Sequence, residues 1–107
     1  MARTNPASSP APGDDPCPVS VFIGVETHRD FHVAVALSLQ GSLLGEMHLP
    51  AYRAGYEALL DWALELAEGR STSLVFGIEG TGCYGAGLSR HLQAAHCSVR
   101  EVNRPNR

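Results

Sequence analysis

The amino-acid sequence predicts one α/β domain built on a single mixed β-sheet. Three observations lead to this fold class. Residues 19–49 contain three apolar or alternating segments in succession, which is typical of an antiparallel meander. The apolar period then becomes helical from about Arg53. Two later apolar segments, residues 73–78 and 97–102, alternate with helical segments, as parallel strands joined by crossovers do.

Three consecutive strands are predicted before the first helix. The run VSVFIGVE, residues 19–26, is dense in β-branched and aromatic residues and suits a strand buried on both faces. Residues 31–40, FHVAVALSLQ, alternate between larger apolar side chains and small or polar ones, which indicates a half-buried strand. A turn at Gly41 leads to the third strand, residues 42–49, which Pro50 ends.

The remaining elements give the order β-β-β-α-β-α-β. An apolar stripe of helical period begins near Arg53, and Gly69 suits the first left-handed position after that helix. The strand at residues 73–78 follows, then a short helix over residues 84–95 and the last strand. The first strand and the strand at residues 73–78 are the most apolar, so we expect them to be central, parallel neighbours. The predicted sheet order is 3-2-1-4-5, with the second strand antiparallel to the first.

Length and composition limit the function classes. A chain of 107 residues allows one small domain, and 44% hydrophobic residues are ordinary for a globular protein. The net charge of -3 argues against a surface that grips DNA everywhere. No apolar segment approaches the roughly 18 residues of a membrane span, and the three cysteines follow no disulfide or zinc-site spacing. We expect a cytoplasmic protein with no membrane partner and a disordered leader over residues 1–18.

Two glutamates carry the main functional signal. Glu26 and Glu79 each close an apolar strand, and a polar or Gly-rich turn follows each of them. If the two strands are parallel neighbours, both carboxylates lie at the edge where open α/β sheets place their sites. Paired carboxylates suit Mg²⁺, and paired metals serve phosphodiester chemistry. The alternative is that each Glu only marks where a strand reaches water. For His28 and His32, which flank the first turn, we expect loop and strand-face roles, since Mg²⁺ does not favour nitrogen.

The loop GTGCYG, Gly80–Gly85, is the main competing signal. It matches G-x-G-x-x-G between a strand and a helix, and Glu101 follows about 20 residues later, as the dinucleotide-binding fingerprint expects. That fingerprint normally opens a Rossmann domain, whereas a meander and a helix precede it here. A milder hypothesis is that the N–H groups of Gly80, Thr81 and Gly82 hold a nucleic-acid phosphate. The structural alternative is a tight turn that needs glycine.

Four further residues are candidates for nucleic-acid binding. Arg100, Arg104 and Arg107 concentrate positive charge at the C-terminal end and could contact phosphates. A solvated basic end is an equally good interpretation. Tyr84 could stack on a base, although a Tyr at the start of a helix is more often a packing residue.

Four segments together resemble the DEDD transposases of the insertion sequence 110 family. The segments are FIGVETHRDFHVAVAL, LLGEMHLPAYRAGYEALLDWA, FGIEGTGCYGAGLSRHL and VREVNRPNR. The first, third and last are similar to the family patterns GVDTHKDxH, GxEGTGSYG and VxEVNRPxR. The resemblance covers residues 19–107 nearly without gaps. The combination of the four in this order is specific, although each one alone is a weak signal.

The resemblance implies an RNase H-like (RuvC-like) nuclease domain, of which this chain carries the N-terminal part. In the family an Asp, a Glu and two later Asp residues bind divalent metal. The first acid falls on Glu26, where the family has Asp, and the second on Glu79, while the later pair would lie beyond Arg107. The implied function is DNA transposition and recombination with Mg²⁺ or Mn²⁺. The implied partners are transposon-end and target DNA, a structured guide RNA, and further copies of the chain in full-length relatives. Because half of the acids are absent and Glu26 is one methylene longer than Asp, we expect a truncated, inactive fragment.

Overall fold

A computed structural model describes residues 19–103, which form a five-stranded mixed sheet with two helices. The predicted leader, residues 1–18, and the last four residues lie outside the described part. A 3₁₀ turn, Ser71–Ser73, precedes the fourth strand. The strands and helices in chain order are β1 (Val21–Thr27), β2 (Phe31–Ser38), β3 (Leu43–Pro50), α1 (Arg53–Leu66), β4 (Leu74–Glu79), α2 (Ala86–Ala94) and β5 (Ser98–Val102).

The strands lie in the order β3-β2-β1-β4-β5, which confirms the predicted order. Strand β2 runs antiparallel to β1 and β3, and β4 runs parallel to β1 and β5. In the parallel pair Gly24 of β1 lies opposite Gly77 of β4. The prediction that the two most apolar strands are central, parallel neighbours is therefore correct.

The core lies between the sheet and both helices, on what we call the inner face. The inner row of β1, which consists of Val21, Ile23 and Val25, is at most 3% exposed. Fully burying a large apolar side chain stabilises a fold by about 1.5–3 kcal/mol. The large apolar side chains that are fully buried here are Ile23, Leu49, Leu59, Leu74, Phe76, Ile78, Leu88 and Leu92. Among the described helices, none has the length and apolar character that crossing a membrane requires.

Strand β2 is half buried, as predicted, and the buried row is the one with the smaller side chains. His32, Ala34 and Ala36 are fully buried on the inner face. The larger Val33 and Val35 point to the opposite face, called the outer face here, and are half-buried. Both helices pack on the inner side, so the sheet keeps a second apolar surface.

Helix α1 ends in two consecutive left-handed residues. Its C-cap is Ala67, after which Glu68 has φ 56° and Gly69 has φ 79°. The Gly69 N–H donates to the Leu64 carbonyl at 2.7 Å, and the Glu68 N–H donates to the Glu65 carbonyl at 3.1 Å. These two bonds satisfy carbonyls that the helix end leaves without partners. The prediction for Gly69 was off by one residue, because Glu68 takes the first left-handed position and Gly69 the second.

Replacing Glu68 by glycine is expected to stabilise the domain by about 0.5 kcal/mol. A left-handed backbone costs an L-residue about 1–2 kcal/mol, and the larger entropy that glycine loses on folding offsets part of the gain. The ion pair with Arg70 that this variant loses is exposed, so its loss matters little. Urea unfolding measures the change. As a control, Glu65→Gly inside the helix should destabilise by about 1 kcal/mol. If both variants lost the same free energy of unfolding, the left-handed backbone of Glu68 would not be a source of strain.

Candidate functional site

The carboxyl ends of β1, β4 and β5 meet at one edge of the sheet, and the turns beyond them enclose an open pocket. Its volume is about 420 Å³. This is the edge at which open α/β sheets place their sites. The side chains and turns that matter for its chemistry are those of Thr27, His28, Glu79, Gly80, Tyr84 and Glu101.

Glu26 and Glu79 lie side by side on the outer face, next to this pocket. Their preceding residues, Val25 and Ile78, face each other in the parallel register and are buried on the inner face. Successive side chains of a strand alternate between faces, so the two glutamates both point outward from strands about 4.8 Å apart. Both also line a depression of about 300 Å³ on the outer face. The strand ends that carry the two acids are neighbours, as predicted, and the role of the acids as metal ligands stays a prediction.

A hydrogen bond ties the ends of the two strands together. The hydroxyl of Thr27, which is 6% exposed, donates to the Glu79 carbonyl at 3.1 Å. Thr27 directly follows Glu26, so this bond fixes the two backbones that carry the acids. Sequence reasoning missed Thr27. The predicted register could have identified Thr27, because it places the residue after Glu26 beside the end of β4.

His28 sits beside Glu26 in the turn between β1 and β2. Its Nε2 lies 3.6 Å from the Glu26 carboxylate, and its ring stacks on Phe31 at 4.6 Å between centroids. The His28 N–H donates to the Phe31 carbonyl at 3.0 Å. The predicted loop role of His28 is correct. The geometry adds a partly exposed contact between its ring and the Glu26 carboxylate.

As candidate metal ligands, Glu26 and Glu79 stand as a pair. Within residues 19–103, no group of three or more His, Cys, Asp or Glu side chains is placed to hold a metal ion. Two carboxylates fit Mg²⁺ or Mn²⁺ by ligand type, and water or phosphate oxygens would have to complete the coordination of such an ion. The thiols Cys83 and Cys97 are both free, and burial raises the pKa of Cys97.

The backbone requires glycine at the first and third glycines of the loop, as in a dinucleotide fingerprint, and leaves open space at the second. Gly80 has φ 63°, which suits the tight turn after the strand. Gly82 has open space where a Cβ would stand, whereas a Cβ at Gly85 would lie 2.6 Å from the Glu79 carbonyl oxygen. The second glycine thus permits close approach and the third permits helix–strand packing. However, the N–H groups of Cys83 and Gly85 both donate to the Gly80 carbonyl, so part of the loop is already hydrogen-bonded internally.

The other predicted nucleic-acid contacts are scattered. Tyr84 is 58% exposed and lines the pocket, so it is not a packing residue. Thr81 lies in the turn before α2 and is half-buried. Arg100 is exposed on the edge strand β5, in register with Gly77. Arg104 and Arg107 lie outside the described residues.

His32 is a buried titratable group that the sequence assigned to a strand face. Its ring is fully buried and lies parallel to the Tyr56 ring at 6.2 Å. Nδ1 lies 2.9 Å from the Phe31 carbonyl oxygen, while Nε2 has no hydrogen-bond partner within the described part of the chain. Burial lowers the pKa of His32, so the ring is held neutral. The sequence signal for this burial was that His32 lies in the same row of β2 as Ala34 and Ala36.

Comparisons with known proteins assign no family to the chain. No protein-family model matches the sequence, and no curated protein matches it.

Acidification below about pH 6.5 is expected to destabilise the domain through His32. Because the folded-state pKa of this ring is depressed below about 6.5, the unfolded chain binds more protons between the two values. The stabilisation is complete above about pH 6.5 and is lost as the pH falls toward the folded-state pKa. Urea unfolding at a series of pH values measures this acid limb.

The variant His32→Phe should flatten the acid limb, since phenylalanine does not titrate. His48→Phe is the matched control, because His48 is exposed on β3 and its loss should leave the acid limb in place. An acid limb that survives unchanged in His32→Phe would show that another group causes it.

Proposed function

We propose that this chain is the N-terminal part of an RNase H-like (RuvC-like) nuclease domain from a cytoplasmic transposase of the insertion sequence 110 family. One observation carries the proposal. The two acids that the resemblance selects, Glu26 and Glu79, end neighbouring parallel strands at the centre of the sheet and share its outer face. The strand order, with an antiparallel second strand, is the order expected for that fold.

In this proposal Glu26 and Glu79 hold a divalent cation, Mg²⁺ or Mn²⁺, at the carboxyl edge of the sheet. Such ions activate the attacking oxygen and stabilise the leaving oxygen of a phosphodiester. Thr27 fixes the spacing of the two acids through its bond to the Glu79 carbonyl. His28, stacked on Phe31, contacts the Glu26 carboxylate.

The DNA partner would be held mainly by phosphate contacts near this edge. Among the described residues, Arg100 is the candidate for these phosphate contacts. Arg104 and Arg107 would add further positive charge along the chain. Tyr84 and the turn at Gly80, Thr81 and Gly82 border the same pocket edge. With a net charge of -3, binding by this chain should be weak and sensitive to salt. A structured RNA and further copies of the chain are partners that the resemblance adds for longer relatives.

This chain alone is expected neither to cut nor to join DNA. Glu26 and Glu79 supply at most half of the carboxylates of the resembling family, so two metals cannot be held firmly, and catalysis depends on those metals. The measurement incubates residues 1–107 with transposon-end DNA, a cognate RNA and Mg²⁺ or Mn²⁺, beside a Glu79→Ala control. Cleavage that disappears in Glu79→Ala would show that the two acids suffice.

A longer chain that includes the later acids provides the positive control. It should cut the same DNA, and there Glu26→Asp should raise the rate. The shorter side chain restores the family's acid, and a shift on the order of 1 Å in a ligand can cost about 10²-fold in rate. A lower rate for Glu26→Asp would contradict the assignment of Glu26 as the first acid.

A second candidate is a nucleotide- or phosphate-binding module that uses Gly80–Gly85. The observation that favours it is the division of roles among Gly80, Gly82 and Gly85, with Glu101 at the end of the next strand and bordering the same pocket. It would bind its ligand without a metal. Two internal hydrogen bonds to the Gly80 carbonyl weigh against it, since those N–H groups are not directed at a ligand.

Calorimetry is expected to separate the two functions. Titration with Mn²⁺ should give weak heat of binding that Glu79→Ala removes, whereas titration with NAD should give none. Gly82→Val is the matched loop variant, because it places a side chain where a phosphate would approach and should leave the Mn²⁺ signal intact. Binding of NAD that Gly82→Val abolishes, without a response to Mn²⁺, would favour the nucleotide-binding module.

A further inference from the structure

The ring of His32 is buried between the sheet and the helices. It is 0% exposed and lies parallel to the Tyr56 ring of α1, with 6.2 Å between the ring centroids. Tyr56 in turn packs against α2, since a Cβ at Gly87 would stand 2.9 Å from the Tyr56 hydroxyl oxygen. The His91 ring of α2 lies 5.7 Å from the Tyr56 ring. His32 therefore connects β2 to both helices through one group of rings.

The same ring supports the turn between β1 and β2. His32 Nδ1 lies 2.9 Å from the Phe31 carbonyl oxygen and 3.3 Å from the His28 backbone nitrogen. The His28 N–H donates to that carbonyl at 3.0 Å. The turn is also joined to the segment before α1, because the Ala51 N–H donates to the Asp30 carbonyl at 3.0 Å. The turn is thus held by the His32 ring and by the start of the helix that covers this ring.

The short contact to the Phe31 carbonyl assigns the tautomer of neutral His32. A carbonyl only accepts, so Nδ1 carries the proton and donates to it. Nε2 is then a bare acceptor, and it has no partner within residues 19–103. A second proton would make Nε2 a buried donor and give the ring a charge. Burial lowers the pKa of His32 most, the hydrogen bond to Phe31 raises it, and repulsion from His28 lowers it further.

The groups around the ring offer nothing that would offset a positive charge. Its partners on the neighbouring strands are Thr27 of β1 and Leu49 of β3, which carry no charge. Tyr56 faces the ring from α1, with His91 of α2 behind it, and His28 lies in the turn. No carboxylate of the described residues forms an ion pair with the ring. A charged ring therefore has to leave this place to reach water, because an unpaired buried charge is strongly unfavourable.

We propose that protonation of His32 opens the β1–β2 turn while the rest of the sheet stays folded, so that pH controls one wall of the pocket at the carboxyl edge. The turn supplies His28 and Arg29 to this pocket, and the glycine loop supplies Gly80 and Tyr84. When the charged ring leaves the space under α1, the turn loses the hydrogen bond that Nδ1 donates to it. The two acids lie on the outer face and His32 on the inner face, so this opening is independent of the proposed nuclease function.

The pH range of the opening follows from the direction of the pKa shift. In the open form His32 titrates near its ordinary pKa of about 6.5, whereas in the closed form its pKa is lower. Opening is therefore coupled to proton uptake and is favoured as the pH falls below about 6.5. One proton raises the open population by at most about tenfold for each pH unit below that value. Between about pH 7.5 and about pH 5.5 the expected rise is about threefold to tenfold.

Hydrogen exchange of the intact native chain, measured at several low urea concentrations, tests the opening. The amides of His28 and Ala51 report on the turn. Their open population, corrected for the intrinsic exchange rate, should show the expected rise and should respond little to urea. The amides of β4 should instead exchange through global unfolding, with a strong dependence on urea. The Gly41 amide, bonded to the Ser38 carbonyl in the β2–β3 turn, should open independently of pH, because its opening does not expose His32.

The variant His32→Phe keeps a ring under α1 and should remove the pH dependence of the Ala51 amide. His91→Phe and His28→Gln are the matched controls, since each removes a neighbouring imidazole, and both should keep that dependence. Loss of the dependence in either control would assign the proton to another group and overturn the proposal.

Two results from the parent chain would also overturn it, and they decide the matter even where His32→Phe does not fold. One is that the turn amides share the opening free energy and urea dependence of β4, since the turn would then open only with the whole domain. The other is that their open population does not rise at about pH 5.5. A rise that persists in a folded His32→Phe variant contradicts the proposal equally.

Discussion

The parallel pairing of β1 with β4 is the constraint on which the rest of the structure depends. Its register sets Val25 opposite Ile78, both buried against the helices. A slip of one residue would turn those side chains to the outer face and bring charged ones into the core. Burial of the inner row therefore fixes the register. The register in turn decides that Glu26 and Glu79 come out side by side, and the Thr27 hydroxyl locks the strand ends there.

One-sided helix packing is the second organising feature. Both helices cover the inner face, so β1 and β4, which the sequence marks as apolar on both rows, are buried by helices on one side only. Phe22 shields Gly77 on the other side together with Val102. The outer surface is thus a weakly protected apolar layer that carries its charges at the edges and at one end. The inner face holds the buried core, whereas the outer face carries the two acids and the exposed apolar side chains.

The sequence predicts the strand order and the position of the acids because both follow from strong local signals. Apolar runs identify the central strands. An acid at the end of each run marks the end of the sheet where the two acids lie. It does not decide which row of β2 the helices cover, since an alternating strand offers two rows. The row with Ala34 and Ala36 is buried although Val33 and Val35 are larger, and His32 is buried with it. Likewise, the sequence does not decide whether Glu68 or Gly69 takes the first left-handed position. This depends on where α1 stops, and periodicity fixes that only to within a residue or so.

In the proposed function, further carboxylates have to join Glu26 and Glu79 from outside the described residues. Glu26 and Glu79 both point to the outer face, so any further carboxylate that joins them has to approach from that side. An element long enough to bring it there would also lie across Val33, Val35 and their neighbours, and would bury them. The proposed function therefore assigns two roles to one surface, which holds the two acids and receives the element that completes them.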